Sequence, residues 1–353
     1  MNNRKILSYH SWLGLIVGVF LIIMGISGAI LVFQHDIEDA LWKKDIEIAN
    51  YETLEIDKAF ANIQKKYPDW DTRLIHFEEN EAFIFNLRKP TQRLFIFVHP
   101  TTGEILNEIN ELTTFTRWLL KFHYSLQAGV IGRVLVLVIG ILFFLSLLTG
   151  IYLYRKSILK TLIFKVKIRN KNKRSLYSSL HRVIGVWALL LNLVLVITGI
   201  FLSYKVTTAS LKSPVDPVTP KVTASIELLL KEIKEQAVDF TPTYIRLPSN
   251  AEGNITINGK YKDDAFFYSE FYNSFQAHPK TGAITNVVKV RDSDITTQLT
   301  STLIPLHFGQ FGGIWSKLLY CFIGLSGPFL SVSGFIIWQK GRNSKRKKKF
   351  IQI

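Results

Sequence analysis

Four long apolar runs divide the chain. Residues 11–33, 134–154, 183–204 and 318–338 contain no charged side chain, and each run is 21 to 23 residues long. A helix needs about 20 apolar residues to cross the hydrocarbon core of a bilayer. The pattern therefore predicts four transmembrane helices, which separate two long polar segments and one shorter basic segment.

The two long polar segments have the patterns of small α+β domains. In the first, residues 57–66 have helical spacing, whereas 72–77, 82–88 and 93–100 are short stretches rich in β-branched and aromatic residues. The second has a helical pattern near 224–236, followed by strand-like stretches. Each segment contains a His-Pro-x-Thr-Gly sequence, which predicts a turn between two strands, because proline fixes φ and glycine tolerates a positive φ.

Two stretches of the first half align with stretches of the second half, each without gaps and each at its own constant offset. Residues 10–31 match 181–202, and residues 123–156 match 307–340. The matched positions are His10 with His181, His123 with His307, Gly14 with Gly185, Arg133 with Lys317, Ser27-Gly28 with Thr198-Gly199, and Thr149-Gly150 with Ser333-Gly334. Self-similarity at a constant offset indicates an internal duplication. Each half is therefore a span, an outward domain and a second span.

The predicted fold is an α-helical membrane protein with four transmembrane helices from an internal duplication, plus two small α+β domains. The predicted segments are the first span with its N-terminus (1–35), the first α+β domain (36–115), an interfacial segment with the second span (116–156), a basic loop (157–180), the third span (181–205), the second α+β domain (206–300), the fourth span (301–340) and a basic tail (341–353).

The charges predict an orientation. Nine Lys/Arg lie in 155–174 and seven in 340–349, whereas all 27 acidic residues lie in 36–122 and 205–317. By the positive-inside rule, both termini and the central loop are cytoplasmic, and the two long segments face outward. The net charge of +16 does not indicate nucleic acid, because its excess borders membrane spans, where anionic lipid is the nearer partner.

Four histidines are the candidate chemistry. His10 and His181 lie at the cytoplasmic starts of spans one and three, and His123 and His307 lie just before spans two and four. A single interfacial histidine is more often a polar anchor than a ligand. Recurrence in both halves favours ligation, because two imidazoles from matched helices can bind opposite axial positions of one iron. The pattern predicts one such pair at each face.

Haem suits these histidines better than a bare metal ion. Zinc normally needs three or four protein ligands, and no carboxylate lies near His10 or His181. The single cysteine, Cys321, provides neither a disulfide nor a covalent haem attachment. Gly14, matched by Gly185, follows His10 on the same helical face and leaves room for a porphyrin. Gly18 follows one turn later, and the alternative is that Gly14-x-x-x-Gly18 only permits close packing of helices.

Several other side chains have two interpretations. Arg133 and Lys317 can neutralise haem propionates or can be ordinary interfacial residues. His35, at the outer end of span one, can replace His123 or His307 as a ligand, although it has no counterpart in span three. The Ser/Thr-Gly hydroxyls are expected to bond backward to helix carbonyls rather than to touch a cofactor. The remaining histidines, His76, His99 and His278, are predicted to be surface residues of a sheet.

These motifs resemble the PepSY-associated transmembrane proteins, a family that includes iron-regulated inner-membrane proteins and siderophore reductases. The resemblance depends on His-x-Trp-x-Gly at 10–14, Leu-His-Arg at 180–182, Leu-His-Phe-Gly and Gly-Gly within 306–313, the Ser/Thr-Gly dipeptides and the two His-Pro-x-Thr-Gly turns. It covers nearly the whole chain. One departure is the histidine before each turn proline, where an acidic or amide residue is usual.

The resemblance implies an inner-membrane protein with two periplasmic PepSY domains and two b-type haems with bis-histidine ligation by His10, His181, His123 and His307. It would pass electrons from a separate flavoprotein or quinol to a ferric siderophore or another ferric chelate. The alternative is a non-enzymatic PepSY scaffold that binds a periplasmic protease or a transporter. A carrier with inverted repeats fits poorly, because both halves begin on the same side of the membrane.

Overall fold

The computed structural model describes residues 3–48, 54–78 and 80–351. Their helices are α1 (Asn3–Leu31), α2 (Gln34–Ile46), α3 (Ile56–Lys66), α4 (Phe115–Ser125), α5 (Gly129–Tyr154), α6 (Ile158–Leu162), α7 (Lys173–Trp187), α8 (Leu189–Ala209), α9 (Ile226–Gln236), α10 (Ile295–Ser301), α11 (Leu303–Phe308) and α12 (Gly313–Ile351). Their strands are β1 (Asp71–His76), β2 (Phe83–Arg88), β3 (Arg93–Val98), β4 (Ile105–Asn110), β5 (Phe240–Arg246), β6 (Ile255–Tyr261), β7 (Ser274–Ala277) and β8 (Ile284–Val288).

The chain forms two compact units. The helical unit comprises the residues up to Phe33, Leu119–Leu211 and the residues from Leu306, and the sheet unit comprises Gln34–Trp118 and Lys212–Pro305. The first contains the four apolar runs, and the second contains all eight strands. The division between spanning and polar segments therefore agrees with the sequence analysis.

Four helices of the helical unit are long and apolar enough to cross a membrane: Asn3–Leu31, Gly129–Tyr154, Leu189–Ala209 and Gly313–Asn343. The prediction of four apolar helices of spanning length is confirmed. The third predicted run, residues 183–204, begins within α7 and continues into α8. The two helices meet at Ala188, which still donates to Ile184 O and accepts from Asn192 N at 2.9 Å each, so the span continues through it.

Small residues let α1 and α12 approach closely. A Cβ atom on Gly25 would lie 2.4 Å from the carbonyl oxygen of Gly324 and 2.5 Å from Cδ of Pro328. No side chain larger than hydrogen fits at position 25. Close backbone contact of this kind stabilises helix association in lipid, where both helices and lipid tails are apolar.

The sheet unit is built on one antiparallel sheet of eight strands in the order β4-β3-β2-β1-β5-β6-β7-β8. In each polar segment one helix, α3 or α9, is followed directly by four strands. Helices α3 and α9 cover one face of the sheet, and side chains from both segments form a single buried cluster there. On the other face, Trp42 of α2 packs against Ile84, Phe95 and Phe97.

The two polar segments were predicted as two separate domains, and here the structure differs from the prediction. β1 of the first segment pairs with β5 of the second, with Arg73 opposite Arg246 and Leu74 opposite Ile245. Each four-stranded set alone would leave an additional exposed strand edge, and such edges favour pairing with another strand. Joining the sets covers two of these edges and merges their cores.

Side chains of opposite charge strengthen this junction. The carboxylate of Asp71 accepts hydrogen bonds from Arg73 of its own strand at 2.5 Å and from Arg246 of β5 at 2.8 Å. The first turns of α3 and α9 also cap each other. Asp57 accepts from Ile226 N at 2.6 Å, and Glu227 accepts from Asp57 N at 3.0 Å, which satisfies amides that have no partner within their own helices.

Both His-Pro-x-Thr-Gly sequences form the predicted turns between strands. Gly103 and Gly282 have φ of +69° and +76°, which explains the glycine at each position. Nδ1 of His99 accepts from the amides of Thr101 and Thr102 at 3.2 Å each, and His278 makes the equivalent bonds in the second turn. The imidazole therefore takes the acceptor role that an acidic or amide side chain has in an Asx-turn.

Asp71→Asn is expected to lower the free energy of unfolding by about 3 kcal/mol at pH 7, because two partly buried guanidiniums lose their counter-charge. Burial alone would raise the pKa of the Asp71 carboxyl, but hydrogen bonds from Arg73 and Arg246 lower it below its ordinary 3.8. The difference from wild type should be complete above about pH 4 and should shrink as the pH falls through the folded-state pKa.

Urea unfolding of the full chain in detergent, followed by tryptophan fluorescence between pH 3 and 7, measures this difference. Asp263→Asn is the matched control, because Asp263 is 73% exposed and lies 3.8 Å from Arg291. Equal losses for the two variants would contradict a stabilising role of Asp71 at the junction.

Candidate functional site

Each of the four candidate ligand histidines is hydrogen-bonded to a Ser/Thr-Gly dipeptide of a different helix. The Nδ1-to-hydroxyl pairs are His10 with Thr149 at 3.0 Å, His123 with Ser27 at 2.8 Å, His181 with Ser333 at 2.8 Å, and His307 with Thr198 at 3.0 Å. Residues that match in the self-alignment thus make the same contact in both halves. The structure brings together two sets of motifs that the sequence analysis treated separately.

The hydroxyl groups bond backward within their own helices as well. Ser27 donates to Ile23 O at 2.8 Å, and Thr198 donates to Val194 O at 2.7 Å. The predicted backward bonds are confirmed. Because a hydroxyl has one proton and that proton is used, its oxygen accepts from the imidazole rather than donating to it.

This arrangement fixes the tautomer of each histidine. Nδ1 of His10 lies 3.1 Å from the carbonyl oxygen of Ser146, which can only accept. Nδ1 therefore carries the proton, and Nε2 carries a lone pair. The hydroxyl partners of the other three histidines lead to the same assignment. A neutral imidazole whose Nδ1–H is held by the protein is the usual form of a metal-ligating histidine.

The glycine of each dipeptide makes room for the ring. A Cβ atom would lie 3.0 Å from Cε1 of His307 at Gly199, 3.2 Å from Cε1 of His123 at Gly28, 3.3 Å from Cε1 of His10 at Gly150, and 3.5 Å from Cε1 of His181 at Gly334. The imidazole lies flush against the backbone of the neighbouring helix. The dipeptide therefore has two functions, since the hydroxyl binds the ring and the glycine admits it.

His10 and His181 form a pair where spans one and three begin. Their ring centres are 6.3 Å apart and the ring planes are nearly perpendicular, at 84°. Two imidazoles that bind one metal from opposite sides, each at about 2 Å, place their ring centres roughly 6 Å apart. The spacing fits axial ligation of one metal by both rings.

His123 and His307 lie at the other end, where α1 and α8 finish. Both side chains are half-buried. Nδ1 of His123 is held by the hydroxyl of Ser27 in α1, and Nδ1 of His307 by the hydroxyl of Thr198 in α8. These two histidines therefore meet the same chemical requirement as His10 and His181.

The basic residues at this end are Arg133 and Lys317, both half-buried. Arg133 lies over the ring of Tyr124, 5.7 Å from its centre. Its Nε is buried and has no hydrogen-bond partner among the described residues. A buried donor without a partner costs free energy, so an anionic group beside Arg133 would relieve this cost.

The glycines near His10 and His181 differ from each other. A Cβ atom on Gly14 would meet nothing within 4 Å, so there is open space beside His10. At Gly185 a Cβ atom would touch Cδ2 of Leu330 at 3.6 Å, and at Gly18 it would touch Cβ of Ser331 at 3.5 Å. The space beside Gly14 is therefore open, whereas Gly18 and Gly185 lie against α12, as close packing of helices requires.

The PepSY-associated TM region family matches residues 7–340, which is nearly the whole chain. The chain belongs to this family. The resemblance inferred from the motifs is thereby confirmed. No significant match is found among curated proteins. The matched region of this PepSY-associated protein includes the four histidines, all four Ser/Thr-Gly dipeptides and both turns.

The remaining histidines of the PepSY-associated protein lie in its sheet unit. His35 lies in the first turn of α2, where its side chain is 66% exposed and lies 3.8 Å from the carboxylate of Glu38. It belongs to a different compact unit from His123 and His307. Among its described contacts no Ser/Thr-Gly dipeptide holds His35, in contrast to His123 and His307. His76 bonds to Glu81 at 2.5 Å.

Sequence reasoning missed Ser27, Thr149, Thr198 and Ser333 as partners of the histidines. A signal for them was present, since each dipeptide recurs at the same offset as the histidines in the self-alignment. Helical periodicity assigns a face to a hydroxyl but does not say which helix lies opposite that face. The pairing of histidine and hydroxyl therefore depends on how the helices pack in the tertiary structure.

Ser27→Ala is expected to lower the free energy of unfolding by about 1–3 kcal/mol, because the buried Nδ1–H of His123 loses its acceptor. Ser27→Thr should retain wild-type stability, since threonine holds the matched histidine in the other half. Ser331→Ala is the control, because its hydroxyl bonds only to Gly327 O in its own helix, at 2.8 Å. Thermal unfolding in detergent measures the three variants, and equal effects of Ser27→Ala and Ser331→Ala would refute the assigned role.

Proposed function

We propose that this protein is a di-haem b electron-transfer protein of the bacterial inner membrane that reduces a periplasmic ferric siderophore or another ferric chelate. The observation that carries the proposal is the set of two histidine pairs, each ring held through Nδ1 so that Nε2 is available to a metal. Bis-histidine ligation in apolar surroundings is typical of b-type haem. Membership of the family supports a role in iron uptake by analogy.

The residues present fit this cofactor. His10 and His181 would hold one haem and His123 and His307 the other, and their unprotonated Nε2 atoms are the required ligands. When bound, haem supplies reversible one-electron transfer. The hydroxyls of the four dipeptides fix the orientation and tautomer of the ligand rings, which determines how strongly Nε2 donates. The apolar side chains of the spans exclude water from both positions.

The anionic edge of the cofactor also has partners. Arg133 and Lys317 are proposed to neutralise propionates, and the buried Nε of Arg133 is a donor that needs an acceptor. The open space at Gly14 supports the proposal that a planar ligand lies beside His10. Gly185, in contact with Leu330, is proposed to border the same site without giving it volume.

The direction of transfer follows from the proposed orientation. The basic residues flanking the spans favour cytoplasmic termini and binding to anionic lipid, which would put the sheet unit in the periplasm. The electron donor would be a separate flavoprotein or quinol that reaches His10 and His181 first. Two histidine pairs along the span divide a barrier of roughly 30 Å into shorter transfers.

The purified full chain, expressed with an ample supply of haem, is expected to contain two haems per polypeptide. His10→Ala or His181→Ala should remove only one of them, and His307→Ala should remove only the other, because each pair holds its own iron. Pyridine haemochrome assays against protein concentration measure the stoichiometry. His278→Ala, which alters a turn in the sheet unit, is the control and should retain both haems.

Unchanged stoichiometry in every variant would refute the assignment of ligands. A colourless wild-type protein would refute the redox proposal itself and would favour the scaffold role, in which the PepSY sheet binds a protease or transporter. Soret and reduced α and β bands distinguish the two outcomes directly.

Reduced wild-type protein is expected to transfer one electron to each ferric ion when it is mixed anaerobically with ferric citrate. Loss of the reduced α band and appearance of ferrous iron, trapped by a coloured ferrous chelator, should proceed together. His307→Ala should slow the transfer by about tenfold or more, since it lacks the proposed outer haem, whereas His278→Ala should not. Equal rates for wild type and His307→Ala would contradict reduction at the outer haem.

A further inference from the structure

Five arginines converge on the face of the sheet opposite α3 and α9. Leu74, Phe85 and Leu87 point into the core beneath these helices, so the alternating residues of the same strands point to the other face. The residues there include Arg73, Arg88, Arg93, Arg117 and Arg246, which we call the arginine cluster. All of them belong to the sheet unit.

The strand register puts like charges directly opposite each other. Arg73 of β1 is paired with Arg246 of β5, and Arg88 of β2 is paired with Arg93 of β3. Cross-strand pairs of like charge destabilise a sheet. Asp71 bridges the first pair, but no carboxylate among the described residues bridges Arg88 and Arg93, so a role other than stabilising the sheet is indicated for Arg88.

Two carboxylates face the cluster. Asp71 binds Arg73 and Arg246, while Glu111 lies 3.3 Å from Arg117 and 3.6 Å from Arg93. Among the ion pairs of the described residues, five guanidiniums thus face two carboxylates, which hold four of the guanidiniums in place. Positive charge is in excess within this set.

Arg88 lies at the centre of this excess charge. Within the described residues it makes no ion pair with a carboxylate, and its Nε donates to the amide oxygen of Asn86. Burial, together with the charges of Arg73 and Arg93, lowers the pKa of the Arg88 guanidinium to about 10. It therefore remains protonated at neutral pH, in surroundings that favour an additional negative charge.

The guanidiniums are accessible as well as positioned. The side chains of Arg246 and Arg93 are 38% and 29% exposed, and those of Arg117 and Arg73 are 19% and 17% exposed. Partial burial strengthens electrostatic attraction relative to a fully solvated surface. Ligand atoms can reach the cluster without unfolding the sheet.

We propose that the arginine cluster binds a small polyanion through its carboxylate oxygens, and that this ligand is a polycarboxylate chelate of a trivalent metal. The identity of the ligand rests on the proposed function, because it deepens that function to an anionic class of ferric substrate. Guanidinium groups bind carboxylates through two parallel hydrogen bonds, which gives the site geometric selectivity as well as charge. A free metal cation or a cationic hydroxamate chelate would be repelled.

Gallium(III) citrate tests the site, since gallium(III) is not reduced under these conditions and binding is separated from electron transfer. Isothermal titration of the full chain in detergent is expected to show saturable binding. Arg88→Gln and Arg246→Gln should each weaken it by about tenfold or more, as expected for loss of a charged hydrogen bond. Arg291→Gln is the control, because this arginine is 35% exposed and pairs with Asp239 and Asp263 in the other half of the sheet.

Stability separates binding from a structural role. Arg88→Gln should leave the Tm unchanged or higher, since it removes repulsion by Arg73 and Arg93, whereas a purely structural arginine would lower it. Arg88→Lys keeps the positive charge but lacks the planar guanidinium that binds a carboxylate through two hydrogen bonds. This variant should bind gallium citrate with intermediate affinity. Equal affinity in all variants, or a Tm lowered by Arg88→Gln with affinity retained, would overturn the proposal.

Other ligands identify what is recognised. Inorganic phosphate, a smaller anion that guanidiniums also bind, should bind more weakly than gallium citrate, and the cationic gallium complex of desferrioxamine B should not bind at the same concentrations. Equal binding of either would overturn recognition of a polycarboxylate chelate. Metal-free citrate binding as tightly as gallium citrate would overturn the chelate and leave a free polycarboxylate site. The two proposals can fail separately. If the protein is colourless but still binds gallium citrate through Arg88, only the haem proposal is refuted. If it contains two haems but does not bind gallium citrate, only the arginine site is refuted.

Discussion

A buried imidazole among apolar helices must satisfy its N–H, and this constraint governs the helical unit. Most helix carbonyls are used within their own helices, so a hydroxyl from another span supplies an acceptor, and at His10 the carbonyl of Ser146 accepts as well. The glycine beside each hydroxyl admits the ring to within van der Waals distance. Because Nδ1 of each histidine is occupied in this way, its Nε2 is the nitrogen left to bind a ligand. The hydrogen bond that stabilises the folded helices therefore also prepares the ligand site.

The contacts also determine how the spans assemble. His10 and Thr149 are 139 residues apart, and His181 and Ser333 are 152 residues apart. No helix holds its own histidine in these pairs, and each site depends on packing of helices distant in the chain. Each half contains two contacts of this kind, one at each end of the helical unit. The same pairing of histidine and hydroxyl therefore prepares candidate ligands at both ends.

Local patterns predicted much of this structure. Apolar runs located the spans, helical spacing located α3 and α9, and the two turns followed from proline and glycine chemistry. The positions of His10, His123, His181 and His307 were also evident from the self-alignment. The hydroxyl partners were not, because periodicity assigns faces and not neighbours. The joining of β1 to β5 was missed for the same reason, since alternation describes the two faces of a strand but not the strand beside its edge.

Polar groups are satisfied differently in the helical unit and in the sheet unit. This difference indicates which atoms are left to bind ligands. In the helical unit Nδ1 of every candidate histidine has a partner, so the lone pair that can bind a metal is on Nε2. Across the junction of the sheet, Asp71 binds both Arg73 and Arg246, yet Arg88 makes no ion pair with a carboxylate among the described residues. A sheet selected for stability alone would replace one arginine of the Arg88–Arg93 pair. Retaining both is consistent with an anion that completes the charge balance from outside the chain.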